Sequence, residues 1–224
     1  MACHGIDCLA LPLAQITAQQ DAIALEQSQR PLIGALEPLS NLEAEYASNP
    51  KFLSKIQLAS RGSYPQFRRI RGDGNCFYRG YVFAILEWMS RTLRDESASD
   101  ADRAAVADVL QRVEGSLEPL VAQGFDRFTM EDFYESFLEQ FQWAHTERPS
   151  AEEIVQRLAD EGLDQYCVAY ARYLTSSYLQ AHAADYAPFV SEGRSVAEFR
   201  RTDVSDDADT QTANSGDGDG RGWL

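Results

Sequence analysis

The chain has 224 residues, 44% of them hydrophobic, which gives room for one domain with a sizeable core. Its formal net charge of −15 and pI near 4.5 argue against nucleic acid as a partner, because phosphates would be repelled. They suit a solvated acidic surface or one that receives a basic protein. No stretch approaches the apolar length that spans a bilayer, and the first residues lack the basic region of a secretory signal. Four cysteines (Cys3, Cys8, Cys76 and Cys167) are too sparse for a disulfide scaffold, so a reducing compartment, cytoplasm or nucleus, is expected.

Residues 1–15 read as a flexible lead. Cys3, His4 and Cys8 have no second ligand pair at a zinc-like spacing, so no metal site is expected there. Thr17 to Gln29 predicts a polar, Gln-rich helix closed by Pro31, one that takes its stability from a partner or stays mobile. Leu39, Leu42 and Tyr46 follow helical spacing, with Asn49-Pro50 as the stop. Phe52, Ile56 and Leu58 predict a short helix broken by Gly62 to Pro65. Phe67 to Ile70 should be extended, and the basic cluster Arg68, Arg69 and Arg71 reads as an exposed strand edge rather than a binding site.

The stretch Arg71 to Met89 has two opposite halves. Arg71-Gly-Asp-Gly-Asn75 is polar and Gly-rich, hence a loop. From Cys76 a helix follows whose apolar residues fall on nearly every side, which predicts burial on most faces. Cys76 therefore stands where a loop feeds the first turn of a central helix. Unpaired N–H groups and the positive end of the helix dipole favour a thiolate there. Gly72 and Gly74 would let the loop turn its own N–H groups towards an oxyanion. The residues alone leave two readings open, a nucleophile or a core cysteine.

Beyond a polar turn at Arg94 to Asp102, the spacing of Val106, Leu110, Val113, Leu117 and Leu120 predicts one amphipathic helix, weakened at Gly115. Thr129 to Asp132 reads as an N-cap and acidic first turn before a core stripe of Phe133, Phe137 and Phe141. Ser150 to Glu153 is a capping box for a helix carrying Ile154 and Leu158 and stopping near Gly162. A tyrosine-rich helix is expected from Asp164 to His182, with Cys167 as packing. Ser195 to Glu198 is another capping box, and Val196 and Phe199 begin an apolar face. Asp203 to Gly222 is acidic, almost free of apolar residues and expected to be disordered, although Trp223 and Leu224 are an unusual end for such a tail.

Asp73-Gly-Asn-Cys76-Phe-Tyr-Arg79 resembles the nucleophile motif of the ovarian-tumour (OTU) cysteine proteases, and in its Cys-Phe-Tyr-Arg form the otubain branch. Leu120 to Phe125, Phe128 to Phe133, Tyr170 to Gln180 and Glu192 to Phe199 are similar to otubains as well, so the resemblance runs from Thr17 to Val204. It implies an α+β, papain-like OTU fold over residues 16–204, here mostly α-helical because the sheet-forming C-terminal part of the family is not matched. Residues 205–224 form the tail. It also implies a deubiquitinase hydrolysing ubiquitin isopeptide bonds, with lysine-linked, proteasome-targeting chains as substrates. Cys76 would be the nucleophile and Asp73 the motif aspartate shaping the oxyanion loop, with no metal or organic cofactor. The helix after Thr17 would help bind a second ubiquitin or a ubiquitin-conjugating enzyme.

Otubains continue past the helix at Ser195 into a strand-rich segment that ends in the general-base histidine. Nothing in this sequence matches that segment. His4, His145 and His182 stand outside the family's catalytic position and are expected to be helix C-terminal charges or exposed side chains. The change after Val204 suggests a divergent splice product, a frameshift or a misjoined gene. Without the sheet, Phe77, Tyr81, Val82, Phe83 and Leu86 are expected to lose cover at about 1.5–3 kcal/mol per large side chain. The chain is therefore expected to be inactive or impaired, the other reading being a non-catalytic ubiquitin- or partner-binding protein.

Overall fold

The computed structural model describes residues 13–62, 64–190, 193–200 and 204. The grouping of Cys3, His4 and Cys8 and the acidic tail from residue 205 lie outside them. The chain divides into two compact units, Met1–Cys76 and Phe77–Leu224.

The first unit opens with α1 (Leu13–Ser28), which is exposed from Thr17 to Ser28 except for the half-buried Gln27. This is the polar helix that its composition implies. β1 (Ile33–Pro38), which the sequence reading missed, pairs antiparallel with β2 (Gln66–Ile70). Ile33 at its start and Leu32 just before it are buried, but Gly34 and Pro38 hide the alternation that marks a strand. The register shifts between Ile33 and Leu36. Gly34 sits in that irregularity because a Cβ there would lie 3.1 Å from the Arg69 carbonyl oxygen.

Between the strands run α2 (Ser40–Glu45) and α3 (Pro50–Arg61). Asn49-Pro50 starts a helix as well as ending one: Asn49 Oδ1 accepts from the Phe52 amide at 3.3 Å, and Pro50 takes the first helical position, where its missing N–H costs nothing. The helix α3 carries both lysines of the chain, Lys51 and Lys55, exposed and one turn apart. The arginine cluster serves the sheet. Arg68 donates to Gly34 O at 3.1 Å, Arg69 to Glu37 and Glu45, and Arg71 to Arg30 O at 2.8 Å.

Cys76 closes the first unit and opens α4 (Cys76–Arg94), the rest of which belongs to the second. Its burial departs from the expectation. Val82, Phe83, Leu86 and Met89 are buried, but Phe77 is 69% and Tyr81 58% exposed, their rings stacked at 6.1 Å. The helix thus buries one broad face rather than most faces. Of the five side chains expected to lose cover, only Phe77 and Tyr81 do.

The expected single helix after Asp102 is two, α5 (Asp100–Glu114) and α6 (Leu117–Ala122). Gly115 ends α5 rather than weakening it, and Ser116 Oγ closes the break by meeting the Val113 carbonyl at 2.7 Å. The next helix, α7 (Arg127–Glu147), is capped by Asp126 and not by Thr129, whose amide and hydroxyl both donate to the Asp126 carboxylate at 2.9 Å. Ser150 caps α8 (Ala151–Arg157) through the expected box. Gly162 lies inside the first turn of α9 (Glu161–Ala181), capped by Asp160, so it does not stop α8. Short α10 (Ala183–Tyr186) and α11 (Val196–Phe199) follow, the latter with its capping box at Ser195.

The core is an aromatic seam between α7 and α9. Phe133 meets Tyr166 at 5.1 Å and Tyr173 at 5.9 Å, and Phe137 meets Tyr170 at 5.1 Å and Phe141 at 4.7 Å. Tilted pairs of this kind contribute about 0.5–1.5 kcal/mol each beyond the area they bury. Tyr170 is fully buried with its hydroxyl 2.7 Å from Ser116 Oγ, and Cys167 packs beside it at 2% exposure. No helix among the described residues is long and apolar enough to cross a membrane.

Burial pushes the Cys167 thiol and the Tyr170 hydroxyl each up to about 12, from 9.0 and 10.0. Both groups therefore hold their protons more tightly in the folded chain than in the unfolded one. The stability they contribute is complete below about pH 9 and is lost as pH rises towards about 12. Urea unfolding across that window should show falling stability, with a shallower slope in Cys167→Ala. A flat profile would contradict the burial of these two groups.

Candidate functional site

The candidate site is assembled from the loop Gly72–Asn75 and the first turn of α4. Cys76 is the first residue of that 19-residue helix, and its side chain is exposed. The loop in front of it is held at both ends. The Gly72 amide donates to Gln27 Oε1 of α1 at 3.1 Å, and the Asn75 amide donates to Asp73 Oδ1 at 3.0 Å. Gly74 lies between the two at φ 87°, a left-handed conformation that side chains other than glycine rarely adopt. These two hydrogen bonds leave fewer of the loop's N–H groups to turn towards an oxyanion than Gly72 and Gly74 alone led one to expect. Two of the amides are committed, and they fix the directions of the peptide groups between them.

Asp73 therefore shapes the loop through its own carboxylate, an Asx turn closed two residues on. Asn75 is 5% exposed although it neighbours an exposed cysteine. A residue that the motif carried but the sequence reading gave no role is Arg79, one turn after Cys76. Its Nε and Nη2 each donate at 2.8 Å to the two oxygens of Asp164 in the first turn of α9. The side chains are 2% and 6% exposed, so this is a fully desolvated, two-pronged ion pair. The Arg172 guanidinium of α9 also lies over the Tyr78 ring at 5.1 Å. The clue in the sequence was an arginine inside an otherwise apolar helix face.

The two described cysteines differ sharply, since Cys76 is exposed and Cys167 buried. Of the histidines, His4 lies outside the described residues. His145 stands in the last turn of α7, and His182 caps the end of α9, as expected of helix C-terminal residues. The His182 ring packs on Tyr178 at 4.3 Å between centroids, and Nδ1 lies 3.6 Å from Asp185 Oδ2. Among the described residues no group of His, Cys, Asp and Glu could hold a metal ion.

A family model for the otubain peptidases (Peptidase C65) matches residues 25–211. The chain belongs to the otubain family. Human ubiquitin thioesterase OTUB1 is 35% identical over 202 residues, covering 90% of this chain and 70% of the human protein. The otubain-like ubiquitin thioesterase of Caenorhabditis elegans is 33% identical over 88% of this chain and 67% of its own length. Among solved structures, ceOTUB1 in a complex with ubiquitin aldehyde and UBC13~Ub superposes with a TM-score of 0.70 at 33% identity, covering 83% of this chain and 71% of that one. A h/ceOTUB1 complex with ubiquitin aldehyde and UBCH5B~Ub matches equally, at 0.70 and 34%. By family this otubain is a cysteine-type peptidase, and its helices with a small two-stranded sheet agree with the expected α+β fold.

Two measurements check the geometry. Arg79→Met removes the guanidinium that meets both oxygens of the buried Asp164 carboxylate, and urea unfolding should show a loss of about 3–5 kcal/mol. A loss below about 1 kcal/mol would mean that the carboxylate reaches water. Brief alkylation of the native chain with iodoacetamide, mapped by mass spectrometry, should modify Cys76 and spare Cys167 until denaturant is added.

Proposed function

We propose that this otubain-type domain, residues 16–204, is a thiol-dependent deubiquitinase with Cys76 as nucleophile and Asp73 as the loop-shaping aspartate. The observation that carries the reading is the exposed Cys76 thiol at the head of α4, behind a loop pinned at both ends, in a chain of the otubain family. The Cys76 thiolate attacks the carbonyl carbon of the isopeptide bond at the ubiquitin C-terminus, and the loop amides face the resulting oxyanion. The C–N bond breaks, the lysine amine leaves with a proton, and a thioester remains on Cys76. Water then hydrolyses the thioester, returning the thiol and a free ubiquitin carboxylate.

The substrates are lysine-linked polyubiquitin chains of the proteasome-targeting type, and the partners are ubiquitin and a ubiquitin-conjugating enzyme. The solved relatives support the choice of partners, since their complexes contain ubiquitin aldehyde and UBC13~Ub or UBCH5B~Ub. In this chain turnover is slow. His145 in the last turn of α7 and His182 at the end of α9 both stand outside the position at which otubains carry their general base. The same observation favours a second reading, ubiquitin or partner binding without turnover.

The test pairs two substrates. Ubiquitin carrying a C-terminal electrophile should label Cys76, and the label should vanish in Cys76→Ala. Diubiquitin of the proteasome-targeting linkage should be cleaved far more slowly than by a full-length otubain. Labelling that survives Cys76→Ala would remove the nucleophile assignment, and cleavage at the full-length rate would remove the slow-turnover part.

A further inference from the structure

The loop before Cys76 is attached to α1, and the attachment is specific. The Gly72 amide donates to Gln27 Oε1 at 3.1 Å, across 45 positions of sequence. Next to it the Arg71 amide donates to Leu32 O at 3.0 Å and Arg71 Nε to Arg30 O at 2.8 Å. The backbone entering the loop is therefore fastened to the end of α1 and to the segment just after it. Gly72 is fitted to this arrangement, because a Cβ there would come within 3.3 Å of Gln27 Oε1. Gln27 is also the one half-buried residue from Thr17 to Ser28, the others being exposed. Above this bond α1 and the loop stand apart, with a cleft of about 650 Å³ between Gln20, Ile23 and Ala24 on one side and Gly72 and Asp73 on the other. The side-chain amide of Gln27 thus closes one end of an otherwise open gap.

We infer that Gln27 is a positioning residue for the Cys76 site. Resting on the reading of Cys76 as nucleophile, it acts through the loop and touches no reacting atom. Its amide oxygen fixes the Gly72 peptide while the Asp73 carboxylate fixes that of Asn75, so the two peptide groups between them keep one orientation. Oxyanion stabilisation depends on donors that are oriented before charge develops. Without the Gln27 acceptor the Gly72 peptide loses its own hydrogen bond while Arg71 behind it stays fastened, and the glycines at 72 and 74, which have no side chains to restrict them, let the peptides between them turn.

The test uses Gln27→Leu, which removes the acceptor and keeps helix propensity, and Gln27→Glu, which keeps an acceptor. Labelling by ubiquitin with a C-terminal electrophile is resolved into its saturation rate and half-saturating concentration. In Gln27→Leu the rate should fall about fivefold to tenfold with the half-saturating concentration unchanged, as for the loss of one orienting hydrogen bond. Gln27→Glu should retain the wild-type rate, and the thermal midpoint should not move in either variant. A wild-type rate in Gln27→Leu, a rate as low in Gln27→Glu, or a change confined to the half-saturating concentration would each overturn the inference. Hydrogen exchange at the Gly72 amide gives a reading that needs no reaction at Cys76. Protection present in the wild type and lost in Gln27→Leu is expected, and equal protection would overturn the inference. If the wild type shows that protection but does not label, it is the nucleophile reading that has failed.

Discussion

The ion pair between Arg79 and Asp164 sets how the helix that begins at Cys76 is seated. Val82, Phe83, Leu86 and Met89 give α4 an apolar face, but apolar faces tolerate sliding and rotation at small cost. A guanidinium meeting both oxygens of one carboxylate does not, because both bonds are lost together when the geometry shifts. Removing two charges from water costs several kcal/mol per ion, and only such geometry offsets it. The pair therefore selects one rotation of α4 on α9. That rotation buries Val82 and Leu86 and leaves Phe77 and Tyr81 facing outwards. Asp164 also stands in the first turn of α9, where the helix dipole favours a negative charge.

Cys76 and Cys167 show how little a residue type determines by itself. Both are helical and both lie among aromatic residues in sequence. Cys167 sits inside a 21-residue helix on the face that Asp164, Val168, Tyr170 and Ala171 bury, and its thiol is held protonated. Cys76 has a polar loop in front of it instead of a preceding turn, which keeps it at the surface. The deciding difference is position along the helix, and the glycines at 72 and 74 announce it.

Most of the helices were legible in the sequence, because capping residues and apolar spacing are local. The boxes at Ser150 and Ser195, the stripe Phe133, Phe137 and Phe141, and the extended approach at Phe67 to Ile70 all stand where the pattern put them. The errors fell where two local signals compete. Gly115 and Gly162 are the same residue type, yet one ends a helix and the other sits in a first turn behind Asp160, a choice made by the neighbouring cap. The strand Ile33 to Pro38 was hidden because Gly34 and Pro38 break its alternation and its partner lies beyond two intervening helices. At the site, the polar loop and the helix it feeds from Cys76 were legible from the motif. Gln27 and Asp164 were not, since each reaches its partner across the sequence through a single side chain and leaves no periodic trace.

The uneven distribution of positive charge has a practical consequence. Eighteen of the twenty basic residues are arginines, and the two lysines share one exposed face of α3. Arginine does not react with acylating reagents at neutral pH, whereas an exposed lysine amine does. Amine-directed dyes, cross-linkers and activated surfaces will therefore attach to the described part of this chain at a single helix. Coupling at either lysine would hold the molecule by the outer face of α3.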